Sequence, residues 1–393
     1  MMLAAPLIGP GIKLNKEVFM KAIAVFPPKK QVQLIDAPEP TLKGPTDVKL
    51  KMLDIGVCGT DKEICTFEYG TPPAGSEFLI IGHESLGRVM EVGTQVKSLQ
   101  VGDLVVMVVR RPCGRPECGP CAAGRQDFCL TGGFKERGIN GLNGFMTEKV
   151  VDDEKYMNLV PEGLRAIAVL AEPLTIAEKG LEQMWQIQSR LPWDCAHVQA
   201  PGSKLKRGHC HNAVVLGAGP VGLLGAMLLR SLDFNTYVYS KETLDSPKAV
   251  LAKQIGATFV SGSTTSLEAL SAQVGNVDLV YEATGASRLS YEMMKYLGTN
   301  GVFIFTGVPG RKAPIEVDTD LLMRDQVLKN QVVFGTVNAG KQDYGKAIAD
   351  LALFQSRWPG APESLITGRF APEKFKDLLL GDPGGIKNII SFE

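Results

Sequence analysis

Three groups of residues have the types and spacing to do chemistry. The first is Gly82-His83-Glu84 with Cys58, which lies 25 residues upstream in Cys58-Gly59-Thr60-Asp61. Only four histidines occur in 393 residues, so one set between a turn glycine and a carboxylate asks for a reason. Imidazole and thiolate are good zinc ligands, and a zinc with an open position polarises an alcohol or carbonyl oxygen. Two ligands do not complete a site, and a buried His83 hydrogen-bonded to Glu84 is the plainer reading. What decides between them is a third ligand and a nearby group that accepts a hydride.

The second group is Cys113, Cys118, Cys121 and Cys129, with four, two and seven residues between them and glycines interspersed. Four thiolates so close together close a tetrahedral shell, the arrangement of a structural zinc that takes no part in a reaction. Two disulfides or four unrelated thiols are the alternatives. Cys65, Cys195 and Cys210 read as inert. His209-Cys210-His211 is metal-like in composition, but it lies in an irregular stretch with no Asp or Glu close in sequence, and incidental surface residues are the expectation.

The third group is Gly217-Ala218-Gly219-Pro220-Val221-Gly222. The bare glycine pattern is weak, but here it follows an apolar strand and opens an apolar helix. In that context Gly217 permits the tight turn, Gly219 admits a pyrophosphate and Gly222 allows close helix–strand packing, while Pro220 and Val221 open the helix whose N–H groups face the phosphates. At the end of the next strand, where a carboxylate would hold a ribose 2′-hydroxyl, stand Ser240 and Lys241, with Glu242 later. A lysine in place of a carboxylate favours NADP over NAD; Glu242 within reach of a ribose leaves both open.

The elements that must position these groups fall into two patterns. From residue 20 to about 152, short strands (48–54, 86–92 and 103–109 among them) are punctuated by glycine and proline, as in a compact, barrel-like all-β unit. A helix is predicted over 167–181, interrupted early by Pro173, and 190–211 reads as a linker. Beyond it, strands at 213–216, 236–239, 279–282, 302–305 and 332–334 alternate with helices, among them 246–255 and 289–297. Alternation of this kind makes a parallel sheet with right-handed crossovers, so the fold class is α/β. The tail from 338 reads as a helix over 344–354, a loop, then a last helix and strand.

Bulk properties exclude other classes. Lys+Arg and Asp+Glu stand at 42 each, so no global field steers the chain to nucleic acid or an anionic membrane. No apolar run approaches the roughly 18 residues that a bilayer span requires. Residues 1–19 lack the basic start and long apolar core of a secretory signal and read as an extension. The expected compartment is therefore cytoplasmic and reducing, where clustered cysteines hold metal rather than form disulfides.

Taken together, these residues resemble the zinc-dependent medium-chain dehydrogenases over nearly the whole chain from Met20. The resemblance rests on Gly82-His83-Glu84-x2-Gly87-x5-Gly93-x2-Val96, on Gly102-Asp103 and on the cysteine lobe. It is nearest to the glucose (aldose) dehydrogenase group through Cys58-Gly59-Thr60-Asp61, Arg110-Arg111, Gly124-Arg125-Gln126-Asp127-Phe128-Cys129, Ala171-Glu172-Pro173-Leu174 and Val337-Asn338-Ala339. The resemblance implies a GroES-like β-barrel catalytic domain (20–195 with 338–393) and a Rossmann domain (196–337).

It implies a catalytic zinc on Cys58, His83, Glu84 and Glu172, with the cysteine lobe holding a second zinc. Thr60 would start the proton relay, and Asn338 would contact sugar or cofactor at the domain junction. The implied reaction is oxidation of a sugar hydroxyl, an aldose giving a lactone, with reduction of NAD(P) by a homo-oligomer (dimer or tetramer). The same chemistry on another polyol or an amino alcohol, as in sorbitol or threonine dehydrogenases, is the alternative. A nucleotide-binding member of the fold without zinc chemistry has no use for an open metal site. Val109 and Leu328 align where some sugar-specific members carry polar side chains, which counts against glucose itself.

Overall fold

The computed structural model describes residues 18–310 and 314–393; the proposed N-terminal extension lies almost wholly outside them. The first half is antiparallel β-structure. A mixed sheet runs in the spatial order Met157–Val160, Leu104–Met107, Glu84–Val92, Asp47–Gly56, Lys387–Ser391 and Ile366–Phe370, with Lys149–Asp153 also paired to Asp47–Gly56. Alternation of apolar side chains puts Leu50, Met52, Val89, Val105 and Met107 into one barrel core. The strand 103–109 of the sequence reading is shorter in fact, Leu104–Met107.

Register matters most at the centre of this sheet. Gly56 faces Glu84 on one side and Ile389 on the other, so the C-terminal strand delivers Lys387 to the end of the strand that opens with Glu84. A Cβ on Gly56 would lie 2.0 Å from the Glu84 carboxylate and 2.8 Å from the Lys387 side chain. Only glycine leaves room for that pair.

The second half is a six-stranded parallel sheet in the order Thr258–Ser261, Asn235–Ser240, Asn212–Leu216, Leu279–Glu282, Val302–Phe305 and Val332–Gly335. Its strand order reverses beside Asn212–Leu216, and ligands of such sheets bind at the C-terminal ends there. The edge strand Thr258–Ser261 and the helices Leu267–Val274 and Thr319–Leu328 escape the sequence reading, being short or strongly polar.

The helix Ala171–Gln188 joins the halves. Pro173 does not interrupt it: in the first turn the missing N–H has no intrahelical partner to lose. Leu174, Ala177, Leu181 and Met184 recur at helical spacing and are fully buried in a core shared with Leu223 and Met227 on one side and Leu86 and Leu104 on the other. Burying each Leu or Met there is worth about 1.5–3 kcal/mol. Replacing Leu174 by Ala would cost about 2–5 kcal/mol and loosen the helix that begins at Glu172.

Candidate active site and metal centres

Cys58 sits at the N-cap of the short helix Gly59–Cys65. Asp61 in its first turn accepts a hydrogen bond from the Cys58 N–H at 2.9 Å and so shapes the turn that presents the thiol. The other oxygen of Asp61 lies 3.2 Å from Nδ1 of His83, leaving Nε2 of the imidazole for a ligand. Gly82, at φ +90, makes the turn before it, and a Cβ there would strike Met146 at 2.5 Å.

The donor atoms of Cys58, His83 and Glu84 all lie within 4.8 Å of one another. A soft thiolate, an imidazole and a carboxylate at that spacing fit zinc. Burial opposes a charged imidazole, yet the Asp61 carboxylate and the Cys58 thiol outweigh it and raise His83 well above its usual value. A bound metal must therefore displace a proton.

Glu172 stands in the first turn of the joining helix, outside this tight trio. Desolvation lifts its carboxyl to about 7; His83 pulls the other way and Glu84 adds to the rise, which places Glu172 in the field of the same centre. Thr60 is half-buried on the first turn of the Cys58 helix.

Sequence reasoning missed Lys387. It is 2% exposed, ion-paired with the 1% exposed Glu84, and donates to the Val57 carbonyl at 3.0 Å. Despite its burial, the charges of Glu84 and Cys58 hold its pKa above the usual lysine value. No local signal marks it, because its partner lies some three hundred residues away. Asp61 was readable: its three-residue offset from Cys58 is a capping spacing.

One cleft of about 650 Å³ reaches this centre, with Cys58, Gly59 and Glu84 on one wall and Gly219, Pro220 and Val221 on the other. The turn is built as a phosphate cradle. Gly217 has φ +102, and a Cβ on Gly222 would come 2.1 Å from the Gly217 carbonyl. A Cβ on Gly219 would meet nothing within 4 Å, so this backbone is open to a ligand at the start of the helix Pro220–Ser231.

Further along the cleft the structure places Glu242 and Lys248, paired at 2.5 Å. Ser240 is buried and donates to Glu242, and Lys241 is exposed and does not line the cleft. Glu242 and Lys248 thus line this part of the cleft, together with Ser246. Desolvation opposes it, but Lys248 and Ser240 lower the Glu242 pKa.

Asn338, at φ 60, donates to Glu136 at 2.9 Å and accepts from the Ala339 N–H, so both ends of its amide are engaged within the protein. Val109 packs in the barrel core and Leu328 is 65% exposed on the outer helix. Neither lines the cleft, so the expected bearing of these two on sugar choice is withdrawn.

The sulfurs of Cys113, Cys118, Cys121 and Cys129 also lie within 4.8 Å of one another, which fits a closed tetrahedral zinc. The N–H groups of Cys121 and Leu130 lower the Cys118 pKa, while burial pushes the Cys121 thiol up to about 12.

Comparison with known proteins bears on the same arrangement. A family described as "Glucose dehydrogenase C-terminus" matches residues 165–392, and "Alcohol dehydrogenase GroES-like domain" matches 44–162. The chain belongs to the glucose dehydrogenase group of the zinc-dependent medium-chain dehydrogenases. Glucose 1-dehydrogenase of Methanocella arvoryzae is 36% identical over 94% of this chain and 99% of its own length. That of Thermoproteus tenax is 37% identical over 95% and 100%. Among solved structures, glucose dehydrogenase of Haloferax mediterranei in complex with NADP, Zn and gluconolactone is 30% identical, covers 95% of this chain and 99% of that one, and has a TM-score of 0.83. The GroES-like barrel with a Rossmann sheet is thus the fold of the family.

Proposed function

We propose that the chain is a zinc-dependent NAD(P) dehydrogenase that oxidises the anomeric hydroxyl of an aldose such as glucose to a lactone. The observation that carries this is the single cleft in which Cys58 and Glu84 face the Gly219–Val221 turn. The similarity to glucose 1-dehydrogenases over nearly the whole chain supports the sugar.

Zinc held by Cys58, His83 and Glu84, with Glu172 beside them, supplies the Lewis acidity that makes a sugar hydroxyl acidic at neutral pH, and the nicotinamide supplies the hydride acceptor. The protein does the rest. Asp61 fixes the imidazole tautomer. Lys387 pairs with Glu84 inside the fold. Thr60, two residues past Cys58, takes the hydroxyl proton outward. Gly219 and the N–H groups of the following helix seat the pyrophosphate. Asn338 orients the junction through Glu136.

NADP is the favoured cofactor in this reading. Lys248 and Lys241 flank the end of the strand Asn235–Ser240, and Lys248 meets the 2′-phosphate; Glu242 in the cleft lets NAD serve as well. The catalytic centre and the cysteine lobe each take one zinc. The catalytic unit comprises 20–195 with 338–393, and the nucleotide unit 196–337. Met323, Val327 and Leu328 stand exposed on the helix before the edge strand Val332–Gly335, an apolar surface that supports a homo-oligomer (dimer or tetramer). No helix among the described residues is long and apolar enough to cross a membrane, and eight free thiols suit the cytoplasm.

The test is a spectrophotometric screen of aldoses and polyols with NADP and NAD, using metal-replete and chelator-treated chain. Reduced nicotinamide should form with an aldose and vanish on chelation. No reduced cofactor with any sugar or polyol would sink the reading.

A further inference from the structure

The segment between the joining helix and the first parallel strand is irregular apart from one short helix, Ala196–Gln199. It nonetheless gathers three metal-binding side chains: Cys195 and Cys210, which the sequence reading set aside, and His197. Cys195 caps that helix, and its Sγ lies 2.8 Å from Sγ of Cys210. Nδ1 of His197 lies 3.3 Å from the Cys210 sulfur and 4.0 Å from that of Cys195. All three donor atoms fall within 4.8 Å of one another; the two sulfurs must part to about 3.7 Å to share a tetrahedral zinc with Zn–S of about 2.3 Å. The ring of His209 stands edge-on to that of His197, with centroids 6.0 Å apart.

The loop is fastened on both sides of this cluster. Trp193 stacks on His211 at 4.3 Å, with Phe234 and Trp185 behind them. Asp194 pairs with Arg207 at 3.1 Å, and the Arg207 guanidinium lies over the Trp185 ring. The Gly208 N–H donates to the Leu232 carbonyl at 2.9 Å. Between these anchors Cys210 adopts φ 72, a left-handed conformation that a side chain seldom takes without compensation. Its sulfur lies against Cys195 and His197.

We propose that Cys195, His197 and Cys210 bind a zinc ion of structural type, separate from the catalytic centre and the cysteine lobe. Two thiolates and an imidazole are a donor set for Zn²⁺ and exclude the hard cations Mg²⁺ and Ca²⁺. The fourth position falls to His209, adjacent in sequence to Cys210, or to water. Such an ion clips both ends of the 195–210 loop together and stiffens the connection between the joining helix and the nucleotide-binding sheet.

The experiment counts zinc by mass spectrometry in the full chain, purified with reductant and desalted. The wild type is compared with the double variant Cys195→Ser/Cys210→Ser and with His197→Ala. The double variant should hold one zinc equivalent fewer than wild type, with dehydrogenase activity retained. Cobalt-loaded wild type minus double variant should show thiolate charge-transfer and tetrahedral d–d bands. His197→Ala leaves both thiols in place, so it should weaken zinc retention under a chelator without changing the thiol count. Equal zinc in wild type and double variant overturns the proposal, as does a Cys195–Cys210 disulfide in zinc-supplied chain purified without reductant. Loss of the catalytic zinc reading would appear instead in His83→Ala, whose deficit is independent of this loop.

Discussion

Replacing Asp61 by Asn tests whether the catalytic imidazole is set by its neighbour. In the structure one Asp61 oxygen faces Nδ1 of His83 at 3.2 Å and the other accepts from the Cys58 N–H at 2.9 Å. An amide has a single acceptor oxygen. If that oxygen keeps the Cys58 bond, its NH2 faces Nδ1 and drives the ring proton to Nε2, the atom needed for the metal. If it turns to His83 instead, the Cys58 turn loses its cap. Loss of a partner of this kind costs about 10–100-fold in metal affinity or activity, which is about 1.4–2.7 kcal/mol.

A second effect opposes this loss. Without the Asp61 charge the His83 pKa falls, and protons compete less with the metal. That relief acts at low pH, where His83 is protonated, and fades as pH rises past its raised pKa. The deficit of Asp61→Asn should therefore widen between pH 6 and pH 8. Zinc affinity by chelator competition, at both pH values, reads it; NADP affinity should not move. A zinc affinity matching wild type at pH 8 would refute the orienting role of Asp61.

The remaining expectations concern separate parts of the site. Lys387→Met leaves Glu84 buried without its cation, and breaking such a pair costs about 3–5 kcal/mol; thermal unfolding should show a larger loss in zinc-free than in zinc-loaded chain. Gly219→Ala should keep the melting temperature and weaken NADP, whereas Gly222→Ala, with its Cβ 2.1 Å from the Gly217 carbonyl, should lower both. Glu242→Gln should weaken NAD more than NADP and Lys248→Ala the reverse; an unchanged ratio of kcat/KM in both would remove this pair from cofactor choice. His83→Ala should abolish turnover while NADP still binds, measured by fluorescence titration against initial rates, and near-wild-type turnover would remove His83 from the ligand set.

The parallel strands were legible because burial on both faces demands continuous apolar runs: 279–282 and 302–305 coincide with the strands Leu279–Glu282 and Val302–Phe305. The strand Thr258–Ser261 was not, since its four residues carry only two apolar side chains, Phe259 and Val260. Local chemistry also carried far. The intervals among Cys113, Cys118, Cys121 and Cys129 and the glycines of 217–222 act within one loop or turn, so order along the chain nearly suffices to specify geometry.

What the chain order alone could not convey was pairing across distance. Sheet register brings Lys387 to Glu84 and obliges Gly56 to lack a side chain. Folding of the linker gathers Cys195 and Cys210, read as inert, with His197 into a cluster within 4.8 Å. Tertiary folding puts Glu242 and Lys248, rather than Lys241, on the wall of the cleft. Residue type and short spacing determined which chemistry the protein possesses. Which side chains share a dielectric environment, and so which charges and protons control that chemistry, was decided by tertiary contact, because electrostatic coupling depends on separation in space and on burial.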